Sequence, residues 1–121
     1  MADALIYHIC RRDEWHAATA EGVYRGSSQD AADGFIHFST AAQVVASAAK
    51  HRAGQDGLVL VEVAPGALGA ALKWEPSRGG ALFPHLYGDL PLAAVIAARD
   101  LPLDQDGRHA FPDLPIGQPR P

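Results

Sequence analysis

The sequence predicts an α+β fold: one compact domain of mixed or antiparallel strands carrying two main helices, followed by an extended tail. Three observations carry this. At 121 residues the chain is long enough for one hydrophobic core and too short for two. Residues 58–63, Leu-Val-Leu-Val-Glu-Val, open with apolar residues that do not alternate, the pattern of a central strand buried on both faces. Two stretches carry helix punctuation, Asp13 and Gly22 around residues 14–21, and Thr40 with Gln43 ahead of residues 41–51. The domain is expected over residues 1–103 and the tail over 104–121, whose last ten residues hold four prolines.

Residues 5–10 alternate, Leu5, Tyr7 and Ile9 facing one way and Ile6, His8 and Cys10 the other, so His8 projects from the middle of a first strand. Trp15 packs down the helix that follows. Val23, Tyr24 and Arg25 read as a short extended piece, and residues 27–34 as a turn-rich connection. Residues 34–40, Gly-Phe-Ile-His-Phe-Ser-Thr, then read as one strand running into the second helix, with Phe35, His37 and Ser39 on one face and Ile36 and Phe38 on the other. Thr40 is placed to cap that helix, and Lys50, His51 and Arg52 suit its negative end. Past the central strand, which Pro65-Gly66 stops, residues 72–75 read as a short strand and Gly79-Gly80 as a mobile rim. Residues 81–88 repeat the aromatic-histidine pattern, Phe83, His85 and Tyr87 sharing a face. Pro84 lacks a ladder donor, which predicts an edge strand or a loop there. Residues 92–98, flanked by Pro91 and Pro102, read as a last strand.

A formal net charge of −4 with scattered Lys and Arg argues against a nucleic-acid surface. No apolar run approaches the roughly 20 residues of a membrane span. The basic residues Arg11 and Arg12 follow the first apolar stretch, the wrong order for a secretory signal, so cytoplasmic residence is expected. Cys10 is the only cysteine, which excludes an intrachain disulfide and points to a small buried hydrophobe.

His8, His37 and His85 lie on separate extended segments beside aromatic or hydroxyl residues and can converge. Three imidazoles with an open position would suit zinc. However, no two share the short spacing of a ligand pair and no supporting carboxylate is evident, so no metal is expected. The alternative is a metal-free polar cleft in which His8 and His37 hydrogen-bond a ligand, Ser39 offers a hydroxyl, and Tyr87 stacks or hydrogen-bonds beside His85, a set suited to ribose or phosphate. The bland alternative for each histidine is a satisfied core or rim residue. Ser39 lacks the Gly-x-Ser-x-Gly elbow of a hydrolase nucleophile, and no phosphate-binding Gly-x-x-x-x-Gly-Lys-Ser/Thr loop occurs.

The ordered set Ile6-Tyr7-His8-Ile9, Trp15, Tyr24, Asp33 to Thr40, Gln43, Trp74-Glu75 and Phe83-Pro84-His85-Leu86-Tyr87-Gly88 resembles the domain-of-unknown-function 952 family over residues 4 to 101. That family resembles the ADP-ribosyltransferase fold, a split sheet with an NAD cleft between its halves. The resemblance implies that His8 contacts the NAD ribose, that Ser39, His37 and Thr40 form the second motif, and that His85 or Tyr87 lies near the third. Transferases of this type use a glutamate at the third motif; the candidates here, Glu75 and Asp89, fall outside it, and Glu75 is the better placed. The implied function is binding of NAD or an ADP-ribose-type nucleotide by His8, His37, Ser39, Thr40, His85 and Tyr87. Transfer to an unknown acceptor, or NAD glycohydrolysis, would then rest on His8, His37 and Glu75. A non-catalytic nucleotide-binding or protein-interaction module is the alternative, and a zinc-dependent hydrolase the third.

Overall fold

Apolar residues on both faces of two adjacent strands set the architecture. The computed structural model describes residues 5–77, 80–112 and 114. In chain order these form β1 (Ile6–Arg11), α1 (Arg12–Glu21), β2 (Val23–Tyr24), α2 (Ser28–Asp33), β3 (Ile36–His37), β4 (Ser39–Thr40) and α3 (Ala41–His51). There follow β5 (Leu58–Val63), β6 (Leu72–Pro76), β7 (Leu82–Leu86), β8 (Leu90–Pro91) and β9 (Val95–Leu101). The largest sheet has the order β4-β1-β5-β9, a second the order β3-β7-β6, and β2 pairs with β8. All these pairs are antiparallel, and the fold is α+β.

Period-2 alternation in β1 and β5 divides the core. Ile6, Cys10, Val59, Val61 and Val63 join one buried cluster with Trp15 and Ala18 of α1, Tyr24, Ile36, Phe38 and Leu86. Tyr7, Leu58 and Leu60 join the other with Val44 of α3 and Leu101, and Leu5 and Ile9 pack against it. β5 is thus buried on both faces, as its non-alternating sequence predicts. Burial pushes the Cys10 thiol up to about 12, so it acts as a packing residue.

Five expectations are corrected. Residues 34–40 are not one strand: β3 pairs with β7 while β4 pairs with β1, and the chain crosses between sheets at buried Phe38. The side-chain alternation survives the crossing, which is why one continuous pattern hides two strands. β7 is the middle strand of its sheet, not an edge or loop. Pro84 is tolerated because β3 ends at His37; on that side the Pro84 carbonyl accepts the Phe38 N–H at 3.0 Å, and no ladder donor is required of residue 84. A third helix, α2, occupies residues read as a turn-rich connection; Ser27 caps it and Gly34, with φ of 84°, ends it. With six residues it is too short to show an apolar period. The last strand begins at Val95 after a 3-10 turn over Leu92–Ala94. Finally, α1 starts at Arg12 with Glu14 accepting the Arg11 N–H, two residues ahead of the Asp13 cap.

The segment read as an extended tail begins with a turn: the Asp104 N–H bonds to the Arg108 carbonyl, and Phe111 and Leu114 pack on the second cluster. Part of the Gly79-Gly80 rim, the N-terminal four residues and most of the tail beyond 112 lie outside the described residues. No helix among the described residues is long and apolar enough to cross a membrane.

Gly26 holds φ at 101°, and a Cβ there would sit 2.9 Å from the Asp30 Cβ. Gly34 has a similar φ of 84° but open space. Gly26→Ala should therefore cost about 2–3 kcal/mol and Gly34→Ala about 1 kcal/mol in denaturant unfolding. Equal costs would show that the close approach to Asp30 is unimportant.

Candidate functional site

Asp30 is the buried centre of the site. Ser27 caps α2 while the Asp30 carboxylate reaches back, Oδ2 accepting the Ser27 N–H at 2.7 Å. Oδ1 accepts the backbone N–H of His37 at 3.1 Å and its ring Nδ1–H at 2.5 Å. The other ring nitrogen of His37, Nε2, lies 3.0 Å from Asp33 Oδ2. Two carboxylates thus face one imidazole. Burial alone would raise the Asp30 carboxyl, but the bond from His37 and the surrounding donors outweigh it and hold it down to about 2. The His37 pKa is raised, first by its bond to Asp30, and with a carboxylate oxygen facing each ring nitrogen both nitrogens donate, which is the imidazolium form.

His8 behaves differently. Its Nδ1 lies 2.6 Å from the His37 carbonyl oxygen, which can only accept, so Nδ1 carries the proton. Nε2 then accepts the Tyr24 hydroxyl at 2.7 Å. Burial lowers the His8 pKa and outweighs the nearby Asp30, keeping the ring neutral. Both nitrogens, including any that would meet a ribose, are already used inside the protein.

β7 and β6 supply a third cluster. His85 stands opposite His37 on one side and Lys73 on the other. Its Nδ1 lies 2.9 Å from Glu75 Oε1, which also accepts the Tyr87 hydroxyl at 2.7 Å. These bonds, that from His85 first, lower the Glu75 pKa. The Phe35 ring packs on His85 at 4.1 Å between centroids and touches His37 and Tyr87 as well.

A cleft of about 600 Å³ runs between α3 and the two sheets. His8, His37, Ser39 and His85 all line it, so four of the residues singled out from sequence converge. Thr40, Glu75 and Tyr87 do not line it; Thr40 instead donates its N–H to Gln43 Oε1 at 3.0 Å at the start of α3. The Ser39 hydroxyl donates to Ser47 at 3.2 Å. Gln43 also donates to the Leu82 carbonyl at 2.8 Å, tying α3 to β7. Asp30, Asp33, Ser47, Lys50, Arg52 and Phe83 are among the other residues that line the cleft. Of these, Asp30 and Asp33 lie in the stretch read from sequence only as a turn-rich connection. Among the described residues no cluster of three or more His, Cys, Asp or Glu could hold a metal ion.

The pair Asp30–His37 predicts a pH window. Because the His37 pKa is raised above 6.5, its contribution to stability is complete below that value and is lost as pH rises through the folded pKa. Because the Asp30 pKa is depressed from 3.8 to about 2, its contribution is complete above the higher value and is lost as pH falls toward the lower. Stability from the pair should therefore peak between these limits, and the His37 ring should titrate above 6.5 by NMR. Asp30→Asn should bring that midpoint down and cost about 1–3 kcal/mol. An unchanged His37 midpoint in Asp30→Asn would refute the coupling.

The profile of a family described as "Protein of unknown function (DUF952)" matches residues 9–98. The crystal structure of protein CC0527 from Caulobacter crescentus is 51% identical and superposes with a TM-score of 0.85 over 88% of this chain and 94% of that one. The solution structure of CC0527 is 53% identical with a TM-score of 0.77, covering 86% and 90% of the two chains. No curated protein matches the chain. The match over most of the sequence, joined by this fold similarity at half identity, establishes that the chain belongs to the DUF952 family.

Proposed function

We propose that the cleft binds an ADP-ribose-type nucleotide, NAD or ADP-ribose itself. The observation that carries this is the mixture of groups sharing one space: Asp33, His37, Ser39 and His85 with Lys50, Arg52 and Phe83. A ribose needs paired donors and acceptors for its hydroxyls, which an exposed carboxylate, an imidazole and a serine provide. A diphosphate needs cations, which Lys50 in the last turn of α3 and Arg52 just beyond it bring. Phe83 adds an apolar surface for a base. The volume of about 600 Å³ suits such a ligand; small-molecule sites span roughly 300–1,000 Å³.

Glu75 does not line the cleft, which favours a nucleotide-binding module over transfer in which Glu75 itself faces the ribose. Transfer stays the second reading because the Glu75 carboxylate is held beside His85, which does line the cleft.

Titration with NAD and with ADP-ribose, followed by equilibrium unfolding, tests the proposal. Ligand at 100 times its dissociation constant should add about 2.7 kcal/mol. Lys50→Glu, an exposed change, should leave stability within about 0.5 kcal/mol and weaken binding about tenfold or more. Absence of stabilisation by either ligand, or equal binding by Lys50→Glu, would reject the reading.

A further inference from the structure

We infer that His85 is a general base facing the cleft and that Glu75 acts through it, as a positioning residue, rather than on the substrate. For its substrate this inference rests on the nucleotide reading above. A base of this kind needs three things: a fixed ring, a proton held on the far nitrogen, and a lone pair aimed at the reacting space. The ring is fixed by strands paired on both sides of His85 and by the Phe35 ring stacked at 4.1 Å. Glu75 Oε1 lies 2.9 Å from Nδ1 and can only accept while ionised, so the proton sits on Nδ1 and the lone pair on Nε2. The Tyr87 hydroxyl on the same oxygen, at 2.7 Å, keeps the carboxylate in place. Glu75 and Tyr87 lie off the cleft while His85 lines it, and with Nδ1 committed to Glu75, Nε2 is the polar atom the ring can offer to a bound molecule.

His8 and His37 cannot fill this role. His37 is held as a cation between Asp30 and Asp33, and both nitrogens of His8 are committed. The reaction assigned to His85 is attack of water, or of an alcohol hydroxyl, on the anomeric carbon of the nicotinamide ribose. As the new oxygen–carbon bond forms, Nε2 takes the hydroxyl proton. The carbon–nitrogen bond breaks with its electron pair staying on nitrogen, and nicotinamide leaves neutral. With water the products are ADP-ribose, nicotinamide and one proton, which balances the step without any further reactant.

Nicotinamide release from NAD in water is the assay, run on the parent, His85→Asn and Glu75→Gln, with NAD affinity measured separately by titration. His85→Asn should lower release at saturating NAD about 100-fold or more. Glu75→Gln should lower release about tenfold or more and move the His85 ring nitrogen resonances toward the tautomer protonated at Nε2. A parent that binds NAD without releasing nicotinamide, or a His85→Asn variant that releases it normally, overturns the base role and leaves nucleotide binding standing. If neither NAD nor ADP-ribose binds, the nucleotide reading falls, and the pair is judged on ring chemistry alone. In that case a parent His85 protonated at Nε2 overturns the inference.

Discussion

A carboxylate with almost no access to water is tolerated only if donors meet its lone pairs, and Asp30 is met by the Ser27 N–H, the His37 N–H and the His37 ring. These three bonds join the start of α2 to β3. They also keep His37 cationic, and the His37 carbonyl then receives the proton of His8 on β1. One buried group thereby links two sheets that share no strand. Gly26 lets the chain pass close to Asp30 where any side chain would collide. Replacing the carboxylate with an apolar group would leave those donors without partners, and each buried donor so stranded costs about 1–3 kcal/mol.

The cleft follows from the same connection. β3 and β4 are separated only by Phe38, yet they belong to different sheets, so the two sheets diverge at that residue. Phe38 fills the inside of the divergence and packs near the His8 ring. α3 covers the other side, joined to β7 by Gln43 and to β4 by the Ser39–Ser47 bond. His37 from one sheet and Ser39 from the other consequently line the same space. Three histidines that look alike in sequence acquire different states there: one neutral and enclosed, one cationic between carboxylates, and one oriented by a glutamate.

Much of this was legible in the sequence because it rests on local periodicity. The alternation of residues 5–10, the apolar run of β5 and the Thr40–Gln43 cap each specify an element without reference to the rest of the chain. The grouping of His8, His37, Ser39 and His85 was legible too, because residues two apart on a strand share a face. What escaped depends on pairing. No local pattern states that β3 and β4 have different partners, or that a strand containing Pro84 lies between two others. The roles of Asp30 and Asp33 were hidden because a six-residue helix has no period to read, and Asp30 serves His37 as much as its own cap.

The electrostatic character of the cleft is divided, with Asp30 and Asp33 around His37 and the cations Lys50 and Arg52 at the end of α3. Arg52 is held by the Ile9 carbonyl at 3.3 Å, which fixes its charge relative to β1. Such a division fits a ligand that carries hydroxyls at one end of a diphosphate. The most direct test is a backbone amide chemical-shift map recorded during titration with ADP-ribose. The account predicts saturable shifts in Ser39, Gln43, Ser47, Lys50 and His85, with little change in the open depression around Arg11, His16 and Asp56. Shifts confined to that depression, or none at millimolar ligand, would contradict it.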